Sequence, residues 1–196
     1  MLKLSHIVNS VFTSRTYILS MEGCRDVWLV DCGDVSPILD YTSTLDGMAH
    51  TVKGVMLTHA HYDHIYGLPR LKELFPDVKV YTNEAGHSAL MNERMNMSKY
   101  HDDPIHYDEP GVTICDEGSE ISLYNGVSAK VYATPGHHPS CLCFEVENFL
   151  FTGDAWIPGI KVVTTLPGGN KAQADLSLER IKKIADGKMI CAGHEV

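Results

Sequence analysis

The sequence predicts a layered α/β sandwich, and the order of its apolar segments is the main observation behind that prediction. Strand-like segments come first, and alternating strand-like and helix-like segments follow, in two successive rounds along the chain. A doubly wound dinucleotide-binding sheet fits less well, because the chain carries no glycine fingerprint for a dinucleotide. With 196 residues, of which 44% are hydrophobic, we expect one domain that spans residues 1–196.

The first half of the chain is predicted to alternate between strands and short helices. Apolar runs bounded by turn residues indicate strands at 17–20 and 27–31, joined by a turn around Gly23, and at 54–58 and 78–81. Residues 37–48 have weak helical character, and residues 68–75 place their apolar side chains on one helical face. Asn83 is expected to cap a further helix.

The second half of the chain begins with a polar stretch. Residues 96–111 show no sustained period, so we predict a long surface loop, which in a compact domain often has a function. Strands are predicted at 120–123, 128–134, 142–146 and 149–152. A clear helix at 176–186 and a short strand at 188–192 complete the pattern.

Composition limits the class of partner. The formal charge is −9, with 16 lysines and arginines against 25 acidic residues, and a nucleic-acid-binding protein normally has a basic surplus or patch. No apolar run approaches the roughly 20 residues that span a bilayer, and the N-terminus lacks a secretory pattern. We therefore expect a cytoplasmic protein without nucleic-acid or membrane partners, acting on a small molecule. Its six cysteines are interpreted as reduced thiols, and the oligomeric state stays open.

The stretch THAHYDHIYG crowds metal-binding residue types directly after an apolar strand. It contains His59, His61, Asp63 and His64. Imidazole nitrogens and carboxylate oxygens are good ligands for zinc and other divalent transition metals. His59 and His61 point the same way on an extended segment, whereas Asp63 and His64 follow as the chain turns into a helix. The stretch can therefore supply ligands to two neighbouring metals.

Three later strand ends repeat one pattern, in which a glycine separates an apolar strand from a ligand-type residue. The residues are His137 in TPGHH, Asp154 in FTGDA and His194 in CAGHE. Glycine lets the backbone turn sharply, so that the following side chain aims at the edge of the sheet. Loops at sheet ends are where rigid scaffolds usually hold their chemistry.

These segments resemble the metallo-β-lactamase superfamily, whose HxHxDH signature is matched by THAHYDHIYG. The early WLVDCGD resembles the family's first motif, with Asp31 as a supporting residue near the site. The resemblance implies a four-layered αββα sandwich of the metallo-β-lactamase type. It also implies a dinuclear centre with ligands in the following order: His59, His61 and His137 on one metal, Asp63, His64 and His194 on the other, and Asp154 between them.

By this resemblance the chain is a metal-dependent hydrolase. Two metals about 3.5 to 4 Å apart generate a bridging hydroxide at neutral pH, which attacks the substrate carbonyl. Asp63 would orient that hydroxide and carry its proton onward. We expect two zinc ions per chain, although the same five histidines and two aspartates also accept iron or manganese.

Several nearby residues are expected to support the site. Ligand histidines need acceptors for their other ring nitrogens, for which Asp31 is the first candidate and Thr58 and Ser140 are weaker ones. Tyr62 and Tyr66 flank the ligand cluster and are candidates for a substrate pocket wall, although core packing explains them equally well. The family pattern favours the residue directly after glycine, so His137 is preferred to its neighbour. Cys141 and Cys143 are interpreted as core residues.

Within the superfamily the motifs most resemble the glyoxalase II group, which hydrolyses hydroxyacyl-glutathione thioesters. Pro139 stands where that group commonly has glycine, and the chain ends two residues after His194, so we expect no C-terminal helical domain of that group. The sequence therefore predicts a small thioester or ester hydrolase. The alternatives are a lactonase or β-lactamase-like hydrolase, an iron-dependent persulfide dioxygenase and a non-catalytic metal-binding protein.

Overall fold

A computed structural model describes residues 1–45 and 50–195 and contains two β-sheets that face each other. The first sheet holds six strands in the order β1-β2-β3-β4-β5-β6: Leu2–Val8, Arg15–Met21, Asp26–Val30, Thr51–Met56, Lys79–Thr82 and Val112–Ile114. Strands β1 to β3 pair antiparallel, and β3 to β6 pair parallel.

The second sheet holds five strands, β7 to β11: Glu120–Tyr124, Val127–Ala133, Leu142–Val146, Phe149–Gly153 and Met189–Ala192. Their spatial order is β11-β10-β9-β8-β7, with β10 and β11 parallel and the remaining pairs antiparallel. Five α-helices, α1 to α5, connect the strands: Val35–Thr44, Tyr62–Ile65, Leu68–Leu74, Glu84–Leu90 and Lys171–Ile184. Within the described ranges, every helix is too short or too polar to cross a bilayer.

Side chains alternate between the two faces of each strand, so the buried side chains form three packed layers. Val27 and Leu29 of β3 pack towards helices α1 to α4, whereas Trp28 and Val30 pack between the two sheets. The Trp28 indole donates a hydrogen bond to the Leu123 carbonyl across this interface at 3.0 Å. The predicted four-layered αββα sandwich is therefore confirmed.

The outer face of the second sheet packs against α5. Cys141 and Cys143 lie here, fully buried, beside Ile181 of the helix. Both thiols are free, and burial raises the pKa of Cys143 to about 12. This packing agrees with their interpretation as core residues.

The sequence analysis missed strands β1 and β6 and helix α2. Strand β1 is an edge strand whose residues alternate weakly between half-buried and exposed, so it lacks the clear period of a core strand. Helix α2 is a single turn, and β6 has three residues. Helix α5 begins at Lys171, before the predicted start, because Asn170 caps it by accepting from the Gln173 amide at 3.1 Å. The end of the predicted helical segment 37–48 lies outside the described residues.

Candidate metal centre

The carboxyl ends of β4, β8, β10 and β11 deliver the predicted ligands to one edge of the sandwich. His59 and His61 lie in the loop after β4, and Asp63 and His64 follow in helix α2. His61 is the residue before the first turn of that helix, so the chain changes direction between the two ligand pairs. The single helical turn thus separates the side chains into two groups.

The first group consists of His59, His61 and His137. One ligand atom from each ring lies within 4.8 Å of the ligand atoms of the other two. His137 Nε2 is 2.9 Å from His61 Nδ1. All three side chains are buried, and His59 is fully inaccessible.

The second group consists of Asp63, His64 and His194, whose ligand atoms also lie within 4.8 Å of one another. Asp63 Oδ2 is 3.2 Å from His194 Nε2 and 3.4 Å from His64 Nε2. Two residues of this group come from the start of helix α2, and the third follows β11.

Asp154 lies between the two groups. Its Oδ2 is 3.6 Å from His137 Nε2 of the first group and 3.3 Å from His194 Nε2 of the second. Its Oδ1 is 3.6 Å from His64 Nε2. The seven side chains predicted from the sequence are therefore brought together, with one carboxylate in contact range of both groups.

Asp31 and Thr58 orient two of the histidines. Asp31 accepts from the Thr58 amide and hydroxyl, both at 2.7 Å, and from His64 Nδ1 at 2.8 Å. Because the Thr58 hydroxyl donates to Asp31, it is free to accept from His59 Nδ1 at 3.2 Å. Both rings then carry a proton on Nδ1, which leaves Nε2 as the nitrogen available to the centre. These contacts agree with the supporting roles expected for Asp31 and Thr58.

Backbone carbonyls orient two further histidines. His137 Nδ1 donates to the Val163 carbonyl, and His194 Nδ1 donates to the Phe12 carbonyl, each at 2.8 Å. A carbonyl oxygen can only accept, so Nδ1 of each ring carries a proton and Nε2 is the nitrogen available to a metal. Four of the five histidines therefore present Nε2 towards the same region.

Ser140 lies elsewhere than expected. Its hydroxyl donates to His138 Nδ1 at 2.6 Å and accepts from the Ala60 amide at 3.0 Å, so it does not contact a predicted ligand ring. The reason is that the 138–140 turn places His138, and not His137, beside the hydroxyl. Ser140 instead holds the backbone between His59 and His61.

The buried atoms of the centre fit a divalent metal. Within the cluster, His59 Nε2 and Asp154 Oδ1 are buried without a hydrogen-bond partner. An unsatisfied buried polar group is costly, by about 1 to 3 kcal/mol each, and metal coordination is a usual reason for its retention. A set of imidazoles and carboxylates that are oriented through their other atoms suits zinc or iron.

The two groups differ in their electrostatics. Burial, together with the neighbouring rings, lowers the pKa of His59 well below its usual value and that of His61 to about 3, so these rings are neutral. Burial alone would lower the pKa of His194, but hydrogen bonds to Asp154 and Asp63 raise it to about 10. The carboxylates therefore attract positive charge to the second group, and a proton competes with a metal there.

Comparison with known proteins agrees with the fold and with this donor set. The sequence pattern of the metallo-β-lactamase superfamily matches residues 13–194. The chain belongs to the metallo-β-lactamase superfamily. A fold of this superfamily with a histidine and aspartate cluster is suited to a dinuclear metal centre, and it does not by itself determine which metal binds.

Individual known proteins resemble the chain to different extents. Hydroxyacylglutathione hydrolase of Klebsiella pneumoniae is 27% identical over 180 residues, which are 91% of this chain and 61% of that protein. The chain thus spans about three-fifths of that relative's length. The BLEG-1 B3 metallo-β-lactamase has a TM-score of 0.86 and 22% identity, with 99% of this chain and 92% of that chain covered. TTHA1623 in a di-iron-bound form has a TM-score of 0.78 and 22% identity, covering 98% and 92%. These two structures show the shared fold.

Two glycines allow the chain to pack closely around the cluster of predicted metal ligands. Gly153 has a φ of +49°, and a Cβ there would lie 2.4 Å from the Thr58 hydroxyl. A Cβ at Gly193 would lie 2.2 Å from Asp154 Oδ1. Gly153 therefore serves both the turn geometry and the close approach, whereas Gly193 serves the close approach alone.

A cavity of about 420 Å³ opens directly onto the cluster. Tyr62 lines it, as expected, and stacks on His101 with ring centroids 3.8 Å apart. Tyr66 is not among the described residues that line the cavity. It lies behind Tyr62, because its hydroxyl donates to Asp34 at 2.7 Å, and it packs against the helical core. The remaining lining residues are Phe12, His61, Asp63, Met97, Tyr100, His101, His137, Asp154, Val163, Leu166 and His194.

Sequence reasoning missed the residues that surround the cluster without metal-ligand chemistry. Phe12 and Val163 act through backbone carbonyls, which any residue type supplies, so no sequence signal identifies them. Tyr100 lies in the predicted loop 96–111, whose length was the available signal.

Proposed function

We propose that this chain is a metal-dependent hydrolase that cleaves small thioesters or esters. The main support for the proposal is the position of the two three-residue groups. They lie at the floor of an apolar cavity, with Asp154 between them. The 27% identity to hydroxyacylglutathione hydrolase over most of the chain favours a thioester. The acidic net charge of −9 speaks against a nucleic-acid substrate.

The proposed ligands are divided between two metals, with zinc as the expected metal. His59, His61 and His137 would hold one ion and Asp63, His64 and His194 the other, with Asp154 available to both. Iron or manganese would also suit these donors, and the fold relative TTHA1623 was solved in a di-iron-bound form. When bound, such a pair polarises a carbonyl and lowers the pKa of water to about 7.

The protein's own contribution is orientation and proton handling. The Nδ1 hydrogen bonds to Asp31, Thr58 and the two backbone carbonyls fix the imidazoles before substrate arrives. The Asp63 carboxylate lines the cavity and its pKa is lowered: burial would raise it, but the His64 and His194 rings outweigh burial. Asp63 is therefore ionised at neutral pH and is placed to accept the proton of the attacking water.

A turnover assay on the metal-loaded protein tests the proposal. The substrates are thioesters of glutathione and of N-acetylcysteamine, an aryl ester, a lactone and a β-lactam, each measured under air and under argon. We expect oxygen-independent thioester or ester cleavage that a chelator abolishes and zinc restores. Oxygen uptake on a glutathione persulfide, or metal occupancy without turnover of any substrate, would overturn the hydrolase assignment in favour of a dioxygenase or a non-catalytic metal-binding protein.

A further inference from the structure

The mouth of the cavity is unusually apolar for a surface. Phe12 and Tyr100 keep 67% and 64% of their surface exposed, and Val163 keeps 46%. Met97 and Leu166 complete this apolar rim, which surrounds the polar floor of histidines and aspartates. A contiguous patch of exposed aromatic and aliphatic side chains around a cavity marks a ligand-binding surface.

Two residues of the apolar rim have a strained backbone. Phe12 has a φ of +53° and Met97 a φ of +66°, a region that residues with a side chain rarely adopt. Both come from loops, one between β1 and β2 and the other in the segment 96–111. Strain of this kind persists where surrounding structure imposes it, and it clusters at ligand clamps. Here it aims two apolar side chains into one cavity.

The apolar rim also lacks a partner for an anion. Of the described residues that line the cavity, none is a lysine or an arginine. Lys161 lies in a small adjoining recess beside Ile160, and its side chain is exposed. A substrate carboxylate would therefore find no lysine or arginine to pair with among the described residues that line the cavity.

We propose that the substrate is an ester or thioester whose acyl group is uncharged and aromatic or bulky aliphatic, and whose leaving group carries no carboxylate. This inference rests on the proposed hydrolase function and narrows it. Water supplies a hydroxyl to the acyl carbon and a proton to the departing sulfur or oxygen, so no further reactant is needed. The apolar rim binds the acyl group, and the polar floor receives its carbonyl.

A matched substrate series tests the charge and the size preference separately. The series consists of phenylacetyl and acetyl thioesters, each made with neutral N-acetylcysteamine and with glutathione, which carries two carboxylates. We expect kcat/KM to be at least about tenfold higher for the phenylacetyl than for the acetyl thioester of N-acetylcysteamine. The neutral phenylacetyl thioester should exceed its glutathione counterpart by a similar factor. An equal or better glutathione thioester would overturn the inference.

Two alanine substitutions, at apolar residues of similar exposure, test whether the apolar rim causes the preference for the phenylacetyl group. Phe12→Ala keeps the backbone carbonyl that holds His194, and we expect kcat/KM to fall about fivefold or more for the phenylacetyl thioester. The loss on the acetyl thioester should be smaller by at least about threefold, a split that a general structural defect would not produce. Leu176→Ala on helix α5, where the side chain is 69% exposed, is the matched control and should leave both substrates unchanged. Equal losses on both substrates would overturn the role of the apolar rim.

Two further measurements separate this inference from the hydrolase proposal. Lys161→Ala should leave the ratio of glutathione to neutral substrate unchanged, and a selective loss on glutathione would show a carboxylate site that contradicts the inference. The amide analogue of the neutral phenylacetyl thioester, with nitrogen in place of sulfur, can be titrated calorimetrically. If no thioester is cleaved but this amide binds about tenfold more weakly to Phe12→Ala, the hydrolase proposal fails while the ligand class stands. Absence of amide binding would overturn the ligand class as well.

Discussion

Replacing Asp31 with alanine removes the carboxylate on which the metal centre's supporting hydrogen bonds converge. The side chain is buried and accepts from the Thr58 amide, the Thr58 hydroxyl and His64 Nδ1 at 2.7 to 2.8 Å. The backbone of Asp31 has a φ of +61°, a conformation that aspartate tolerates better than alanine. The substitution therefore disturbs both hydrogen bonding and the local backbone.

The expected loss of stability follows from the donors that are left behind. The Thr58 amide and His64 Nδ1 cannot rotate towards other acceptors, and each costs about 1 to 3 kcal/mol when unpaired. The backbone conformation adds about 1 kcal/mol. Burial raises the pKa of Asp31, so removing the carboxylate also recovers some desolvation energy. We expect a net loss of about 3 kcal/mol in the free energy of unfolding, or about 6 to 12 °C in Tm.

The effect on the metal distinguishes this role from simple stability. Without Asp31 the His64 ring is free to turn, so we expect the affinity of the second group for metal to fall about 10- to 100-fold. Asp34→Ala is the matched control, because Asp34 also accepts three hydrogen bonds, from the Ser10 amide and hydroxyl and from Tyr66, but does not contact the cluster. Asp34→Ala should lose stability and keep its metal affinity.

The assays are chemical denaturation followed by circular dichroism, with and without metal, and competition against a chromophoric chelator. Asp31→Asn serves as a shape-matched second variant. Its side-chain oxygen can accept from the Thr58 backbone amide, but its side-chain NH2 group meets another donor on the other side. A variant Asp31→Ala that unfolds within about 1 kcal/mol of the wild type and binds metal equally well would refute the reasoning.

Three other predictions concern the centre directly. Asp63→Ala should lower kcat/KM by about 10²- to 10⁴-fold while the circular dichroism spectrum stays unchanged, and an active variant would refute its assigned role. Gly193→Ala forces a Cβ to within 2.2 Å of Asp154 Oδ1. It should lower metal affinity at least about tenfold and stability by about 1 to 3 kcal/mol, and an unperturbed variant would contradict the close packing. Chelation should lower Tm by about 8 to 16 °C if free metal had been about 1,000-fold above its Kd, and an unchanged Tm in calorimetry would argue against a bound metal.

The fold was largely predictable because its core strands follow simple alternation or continuous apolar runs. Strand β3, with Val27 and Leu29 facing helices and Trp28 and Val30 facing the other sheet, is such a case. Strand β1 was missed because it is held by pairing with β2 and not by a buried face of its own. Tertiary pairing of this kind has no local sequence signal.

The residues of the candidate site were likewise predictable only in part. The seven ligand-type residues carry a residue type and a spacing that their chemistry requires, so they could be recognised in the sequence. The supports could be recognised only in part: Asp31 and Thr58 were expected, while Ser140 contacts His138 instead. The carbonyls of Phe12 and Val163 have no residue signature at all. The one-domain boundary at 1–196, the cytoplasmic location and the identity of the metal as zinc stay predictions.

Metal content per folded chain tests the central claim most directly. The wild-type protein, loaded with zinc and freed of excess metal, should contain about two zinc ions by elemental analysis. His137→Ala should retain about one, because it removes a ligand from the first group while the second group, Asp63, His64 and His194, stays intact. A wild-type protein that holds no metal, or a His137→Ala variant that still holds two, would contradict a centre built from two groups of ligands.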